Sequence, residues 1–404
     1  MNTPLFNKTN TIEHVKSLAF NRNATYTGET EALKYIEKTL MEDDINIKVE
    51  YFNWNGPIRI LMRLSYIIIT MYLILFQLVL LVVAYLIIKN LSKRLRNISF
   101  INKEESKNII TRIPSQNHAP NRPIVIFTAH YDSLSLSIPY KLQVIIFFIY
   151  RIIILFYVLI IIFFSTVFFL DFLDVIPLSN FLFIVLSFTS FLGVIVSIPI
   201  LFLVFLESPS SGSIDNASGV AILIELAKLF KKNPLTNMDI LLIWTGAEEW
   251  GMKGSKKFCA NHFKGLKKDF NLDNSYYINI DMVGSYIGLL DKSGFPFKRK
   301  LNNHLNDNFE ATAKKLNIPI VRFNKIIKPK SDYKSFIRYA HREKSKLTIS
   351  CFHSDKDSKF IHSTKDTPDK CSIENLNGCL NICSQTLNNI DLRIDKVQEK
   401  NKIS

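Results

Sequence analysis

The sequence lacks a CxxC pair, and its five cysteines are an odd number. A disulfide framework needs paired cysteines and a thiolate zinc site needs closely spaced ones, so neither is indicated. The first twenty residues also lack a long apolar core, because Lys8, Glu13 and Lys16 interrupt them. We therefore expect no cleavable signal peptide and an N-terminus that is made and kept in the cytosol.

Basic stripes interleaved with aromatic residues are also missing outside residues 59–112, although 50 Lys+Arg against 35 Asp+Glu give a net charge of +15. This argues against a nucleic-acid partner. Within residues 59–112, nine basic residues accompany two acidic ones. Basic residues beside apolar segments favour the cytoplasmic side and attract anionic lipids, so we expect the lipid bilayer as a partner.

Three long runs lack any charged residue, namely residues 64–88, 152–170 and 175–206. Since about 20 apolar residues span a bilayer, these runs predict membrane segments. The composition is 48% apolar and 21% charged, which excludes a disordered chain. Outside the runs and their flanks roughly 310 residues remain, enough for one large soluble domain with a sizeable core.

The predicted organisation alternates soluble and apolar segments. Residues 1–57, 93–141 and 207–404 form the soluble domain, residues 58–92 a hydrophobic membrane segment, and residues 142–206 a transmembrane helical hairpin. If every apolar segment crosses, the first two soluble parts lie on opposite sides of the membrane. Basic residues flank residues 58–92 at both ends, which favours a re-entrant or in-plane element. A conventional crossing helix is the alternative on length alone.

The soluble parts alternate apolar strands with helices. The predicted strands are residues 45–54, 124–129, 239–245, 276–280 and 347–352, and the clearest helices are residues 30–42 and 217–232. This alternation predicts an α/β fold with helices on both faces of a sheet.

Residues able to bind metals or transfer protons follow the predicted strands. They are His130, Asp132, Glu248, Glu249, Asp281 and His362, together with Asp215 before the helix 217–232. The carboxyl ends of strands line the ligand crevice of an open α/β sheet, so we expect these side chains to meet there. Imidazole and carboxylate without thiolate suit zinc in a catalytic site.

Two metal ions can share this set of donors. A pair of ions ~3.5–4 Å apart needs a bridging carboxylate and further ligands for each ion. We assign Asp215 as the bridge, His130 and Asp281 to one ion, and Glu249 and His362 to the other.

Two further acidic residues have predicted catalytic roles. Asp132 accepts the second imidazole N–H of His130 and fixes its tautomer. Glu248 takes a proton from a metal-bridging water and passes it to the leaving amine. The predicted reaction is metal-assisted hydrolysis of an amide. Asp332 and Tyr333 either orient neighbouring groups or lie in a surface loop, and among the remaining histidines His353 is the one expected nearest the site.

Six motifs occur in a fixed order: HYDS (130–133), DNASG (215–219), GAEEWGMKGS (246–255), NIDMVG (279–284), SDYKSF (331–336) and IHSTKDTPD (361–369). The set resembles that of the co-catalytic di-zinc exopeptidases, a family that includes leucyl-type aminopeptidases, glutamate carboxypeptidase, glutaminyl cyclase and the non-catalytic transferrin receptor. The resemblance covers residues 25–57 loosely, and residues 95–135 and 207–390 well.

The resemblance implies a mixed, mostly parallel sheet of the phosphorylase/hydrolase-like zinc peptidase architecture, and the apolar runs predict membrane helices inserted into it. It also implies two Zn²⁺ ions on the five assigned ligands, Glu248 as general base and a peptide substrate. The sequence departs from the family at Ile214, where many relatives have an acidic residue, and in the apolar hairpin between HYDS and DNASG.

The leading hypothesis is a membrane-anchored zinc exopeptidase whose catalytic domain lies on the cytoplasmic face. An aminopeptidase is favoured, although the sequence does not indicate whether the free amine or the free carboxylate of the peptide is recognised. A glutaminyl-cyclase-like acyltransferase with a single zinc is one alternative. A non-catalytic receptor or scaffold is another, although it predicts lost ligand positions and all five are filled here. The sequence indicates neither the side-chain specificity nor the oligomeric state.

Overall fold

The computed structural model describes residues 10–54 except 25, 104–134, 210–325 except 295–298 and 302, and 330–403, with scattered positions between 142 and 188. The chain divides into two compact units, one of Met1–Trp54, Glu105–Ser135 and Ser208–Ser404, the other of Asn55–Glu104 and Leu136–Glu207. In the described part, no helix has both the length and the apolar character needed to cross a membrane. The predicted membrane segments lie outside the described residues, apart from those scattered positions.

Nine strands in the described part form one sheet. They are β1 (Lys48–Trp54), β2 (Glu104–Ile113), β3 (Ile124–His130), β4 (Asp239–Thr245), β5 (Tyr276–Ile280), β6 (Ile287–Ser293), β7 (Arg299–Lys300), β8 (Ile320–Lys325) and β9 (Thr348–Phe352). Their order is β1-β2-β4-β3-β5-β9-β6-β7, and β8 pairs with β6. The central strands β4, β3, β5 and β9 are parallel, whereas β2 and β6 run antiparallel to their neighbours β4 and β9. The predicted mixed α/β sheet is confirmed.

Helices cover both faces of this sheet. They are α1 (Thr11–Ser17), α2 (Thr27–Met41), α3 (Ser218–Lys232), α4 (Lys253–Asp269), α5 (Asn303–Lys315), α6 (Tyr333–Arg342) and α7 (Ile373–Ile403). Helix α3 packs on β3, β4 and β5, and α1, α2 and α7 pack against α3. On the other face, Phe336 of α6 and Phe258 of α4 join Ile126, Ile243 and Tyr277 in a buried apolar cluster. Adjacent strand residues point to opposite faces, which is why these strands are apolar almost throughout.

The predicted element bounds hold in the centre of the sheet and shift at its margins. Strands β4 and β5 begin and end where predicted. Strand β1 begins at Lys48 instead of residue 45, because Asp44 adopts a positive φ of 54° and the Ile45 N–H closes the end of α2 on Leu40. Helix α3 begins at Ser218 because Ser213–Ala217 form an irregular turn that carries Asp215.

Candidate metal centre

The carboxyl ends of three neighbouring parallel strands bring the predicted side chains together. Strand β3 ends at His130, β5 ends one residue before Asp281, and β4 ends three residues before Glu248. Parallel neighbours end at the same edge of a sheet, so these residues share one crevice. All three are buried.

Five side chains form two groups that share Asp215. One oxygen of Asp215, Oδ1, lies 3.1 Å from Nε2 of His130, and Oδ2 lies 3.3 Å from Nε2 of His362. Asp281 completes the first group at 3.6 Å from His130 Nε2, and Glu249 completes the second at 3.0 Å from His362 Nε2. In each group the candidate ligand atoms lie within 4.8 Å of one another. The structure thus brings together all five residues assigned as ligands.

The turn that presents Asp215 is held from outside the motif. The carboxylate of Asp366 accepts the backbone N–H groups of Ile214 at 2.6 Å and Asp215 at 3.3 Å. Asp366 lies four residues after His362, so this contact also ties the two ligand-bearing segments together.

Asn216, which follows Asp215, fastens the start of α3 to the end of β5. Its Oδ1 accepts the N–H groups of Gly219 and Met282, each at 3.0 Å, and its Nδ2 donates to the carbonyl of Ile280 at 2.9 Å. A Cβ at Gly219 would lie 2.5 Å from both Asn216 Oδ1 and the Ile280 carbonyl oxygen. Only glycine fits there, and the clamp places Asp215 beside Asp281.

Asp132 positions the loop that carries Glu248 and Glu249. Its carboxylate accepts their backbone N–H groups at 2.9 and 3.1 Å. His130 Nδ1 donates to the Asp132 carbonyl oxygen at 3.0 Å, while Asp132 Oδ1 lies 3.6 Å away. The nearer partner of the imidazole is therefore the backbone oxygen and not the expected carboxylate. A proton held on Nδ1 leaves Nε2 of His130 directed at the acidic cluster.

Three residues at or next to the candidate ligands have an unusual backbone conformation. His362 has a φ of 57°, Met282, next to Asp281, a φ of 76°, and Ala247, next to Glu248, a φ of 49°. Residues with a side chain rarely adopt this region unless the surrounding structure enforces it. The fold therefore holds these segments against local preference.

The titration behaviour of the histidines reflects their acidic surroundings. Burial opposes the charge of both rings, but the carboxylates around His130 raise its pKa well above the usual value. Glu249 and Asp215 likewise raise the pKa of His362 to about 10. Burial also opposes the charge of Asp215, yet hydrogen bonds from the two histidines hold its pKa well below the usual value. The cluster thus attracts positive charge strongly.

The pKa values of Glu248 and Glu249 are raised, in contrast to the lowered pKa of Asp215. Burial raises the pKa of Glu248 well above its usual value, in part offset by His130 and reinforced by nearby acidic groups. Burial also raises the pKa of Glu249, against the effect of His362. A buried carboxyl group that can hold a proton has the property required of a general acid and base.

The remaining residues noted in the sequence lie at various distances from this cluster. Asp332 is buried and accepts the Thr245 hydroxyl at the end of β4, and burial raises its pKa to about 6. Tyr333 is buried and donates to Ser293, so neither residue lies in a surface loop. His353 donates through Nδ1 to the Asp281 carbonyl at 2.9 Å, next to the site as expected.

Three residues that shape the site were not predicted from the sequence: Arg22, Asn216 and Asp366. Asn216 and Asp366 lie inside quoted motifs, and their proximity to Asp215 and His362 was the available signal. Arg22 lies in the loop between α1 and α2, outside those motifs, and no local pattern marks it.

The donor set fits zinc. Two imidazole nitrogens and three carboxylates, one with an oxygen toward each group, match the ligand types of catalytic zinc. Sharing one carboxylate between two groups is the arrangement that a pair of adjacent ions requires.

Comparison with known proteins agrees with this arrangement. Residues 197–387 match the model of Peptidase family M28. A comparison with curated proteins finds no match to this sequence. The fold is similar to an aminopeptidase from Aneurinibacillus sp. strain AM-1, with a TM-score of 0.54 and 15% identity over 94% of this chain and 92% of that one.

Two proteins of Bacteroides thetaiotaomicron have the same fold over 96% of this chain and 99% of theirs, each at 14% identity. One is a leucine aminopeptidase precursor, with a TM-score of 0.54, and the other a glutaminyl cyclase, with a TM-score of 0.53. The family match and the fold together identify a zinc metallopeptidase.

Proposed function

We propose that this zinc metallopeptidase is a membrane-anchored exopeptidase, most plainly an aminopeptidase, that hydrolyses terminal peptide bonds at a two-zinc centre. The observation that carries the proposal is the division of five candidate ligands, three buried and two half-buried, into two groups around the two oxygens of Asp215. When bound, zinc would polarise the scissile carbonyl and lower the pKa of the attacking water.

Each residue of the candidate site then has its own role. His130 and Asp281 would hold one ion, Glu249 and His362 would hold the other, and Asp215 would contribute to both. Glu248 takes the proton of the attacking water and returns it to the departing amine. Burial raises the pKa of Glu248 above its usual value, which is the direction that helps a carboxylate to accept and hold a proton. Asp132 keeps Glu248 in place through the backbone N–H that it accepts.

A single-zinc acyltransferase like glutaminyl cyclase is the second candidate, because one of the similar folds is such an enzyme. The two hypotheses differ in metal content. We expect two zinc ions per chain by atomic absorption, and release of amino acids from aminoacyl substrates that a chelator abolishes. One tightly bound zinc with cyclisation of N-terminal glutamine would favour the second candidate.

Aminopeptidase and carboxypeptidase activities are separated by blocking one end of the substrate. We expect a peptide with a free amine and an amidated carboxyl end to be cleaved, and an N-acetylated peptide with a free carboxylate to resist. The reverse result would assign a carboxypeptidase.

Membrane anchoring is supported by the apolar runs and by a few described residues of the predicted hairpin 142–206. Leu142, Ile145, Ile152, Leu159 and Phe163 are helical, follow one another at intervals of three, four or seven residues, and are between 37% and 54% exposed. Exposed apolar side chains at such spacings are suited to contact with a membrane or a partner.

The location of the catalytic domain on the cytoplasmic face follows from the basic flanks and is testable in cells. We expect the full chain to stay in the membrane pellet after carbonate extraction. Single cysteines placed near positions 20 and 100 should both react only with reagents that reach the cytoplasm. Labelling of one from outside and the other from inside would contradict a re-entrant segment 58–92.

A further inference from the structure

Arg22 is one of the largest side chains that are completely buried, and it lies beside the candidate metal centre. Burying a guanidinium is costly unless its N–H groups and its charge are compensated. The partners of Arg22 therefore indicate what the fold gains from placing it there.

The guanidinium donates to backbone carbonyls on three segments. Nε donates to Tyr131 at 2.8 Å, Nη1 to Ser211 at 2.7 Å, and Nη2 to Gly212 at 2.8 Å. Nη1 also donates to Leu18 and Phe20 of its own segment. A planar fork with five donors can reach all of these oxygens at once.

The two distant segments carry two of the candidate ligands, one at the end of β3 and one in the turn before α3. Tyr131 follows His130, and Gly212 lies three residues before Asp215. The backbone strengthens this link, because the Arg22 N–H donates to the Ser133 hydroxyl at 2.9 Å and the Ser133 N–H donates to the Arg22 carbonyl at 3.2 Å.

Gly212 shows how closely these parts approach one another. Its φ is 58°, and a Cβ would lie 2.5 Å from the Ser133 Cβ and 2.8 Å from Nη2 of Arg22. The turn before Asp215 therefore rests directly on the arginine and on the end of β3.

We propose that Arg22 is a positioning residue of the metal centre: by joining the carbonyls of Ser211 and Gly212 to that of Tyr131, it sets the distance between Asp215 and His130. This inference rests on the proposed function. Arg22 lies outside the six motifs, and in this proposal it keeps the carboxylate of Asp215 at the correct distance from His130.

The charge of Arg22 is compensated by the site. Burial lowers its pKa to about 10, and Asp366, Asp132, Asp215 and Glu249 oppose that decrease, so the side chain stays charged at neutral pH. Lysine would keep the charge but lack the fork, which makes Arg22→Lys a test of geometry.

The test compares Arg22→Lys with Arg122→Lys in the full-length protein. Arg122 is a suitable control because it also pairs with a buried carboxylate, Asp239, but at the opposite end of β4. For each variant, zinc affinity is measured by competition with a chromophoric chelator, and the stability of the metal-free protein by urea unfolding.

We expect Arg22→Lys to bind zinc about 10–100-fold more weakly, since groups that orient metal ligands typically contribute that much. The kcat should fall at limiting zinc and recover in excess zinc with little change in KM. Arg122→Lys should lose stability but keep the zinc affinity of the natural protein.

Unchanged zinc affinity in folded Arg22→Lys would overturn the inference and leave the proposed function intact. If that variant does not fold, Arg22→Gln decides, because its amide keeps two N–H donors but loses the fork: weaker zinc binding supports the inference and unchanged binding overturns it. Failure of the natural protein to bind two zinc ions would instead refute the proposed function.

Discussion

Acidic residues lie at the start of strand β4 and just after its end, and their surroundings differ in charge. At its start, Asp239 accepts hydrogen bonds from Arg112, from Arg122 and from the backbone and hydroxyl of Ser115. Both guanidinium groups also lie within 5.5 Å of the Phe270 ring centroid. This carboxylate is neutralised by the chain itself.

At the other end, Glu248 and Glu249 face histidines and further carboxylates. Burial raises the pKa of both glutamates. At Asp239 burial acts in the same direction, but its arginine and serine partners lower the pKa. One end of the strand thus completes its charge balance within the fold, and the other end is completed by the metal ions that we propose. The first arrangement serves stability and the second serves binding.

The largest expected effect comes from Glu248→Gln. We expect kcat to fall about 10²–10⁴-fold, because the amide cannot accept the proton of the attacking water. Zinc content and urea unfolding should stay near those of the natural protein, since the carboxamide is almost the same size. Steady-state kinetics with zinc analysis measures both. Retained turnover would remove Glu248 from the role of base.

Zinc removal should lower the free energy of unfolding through the end of β4 that carries Glu248 and Glu249. At a free zinc concentration 100 times the dissociation constant, binding adds about 2.7 kcal/mol to the free energy of unfolding. We expect chelator to abolish that increment in the natural protein, and Asp215→Asn to lack it from the start. Urea titrations with zinc and with chelator measure the difference. An increment that survives in Asp215→Asn would place the stabilising zinc elsewhere.

Asp239→Asn tests the other end. Loss of its charged hydrogen bonds should cost about 1.5–3 kcal/mol of unfolding free energy. Since the folded pKa of Asp239 lies below the unfolded one, its contribution is present above pH ~4 and disappears as the pH falls through the folded value. As the pH falls, the free energy of unfolding should therefore decrease less steeply in the variant than in the natural protein. Its kcat and zinc affinity should be unchanged, and a loss of either would break the distinction between the two ends.

The sequence predicted the centre of the fold better than its margins. Strands β3, β4 and β5 are continuous apolar runs followed by chemically distinctive residues, so pattern and motif agreed there. Strand β2 was not predicted, because its sequence EESKNIITRI begins with charged residues and alternates irregularly. The five candidate ligand positions could be assigned because each lies in one of the six ordered motifs, after a predicted strand or before a predicted helix.

The supports of the site were harder to predict for a physical reason. Arg22 acts through carbonyl oxygens of residues about 110 and 190 positions away. Any residue can supply a carbonyl, so these partners leave no trace in the sequence. The Asp132 carboxylate was likewise assigned to His130, whereas it binds two backbone N–H groups that the sequence cannot distinguish from others.

The smallest expected effect comes from a glycine far from the site, Gly265→Ala in α4. No atom lies within 4 Å of the Cβ that alanine would add, and the position is in a helix interior. Alanine should therefore raise the free energy of unfolding by about 0.5–1 kcal/mol, because it has less freedom to lose on folding.

Gly219→Ala is the matched change at the site, where the added Cβ meets Asn216 and Ile280 at 2.5 Å. It should lower both stability and zinc affinity, as the clamp that sets Asp215 beside Asp281 must open. Both variants are measured by urea unfolding with and without zinc. If Gly219→Ala changes stability and zinc affinity no more than Gly265→Ala does, the close contact at Gly219 does not hold the candidate ligands in place.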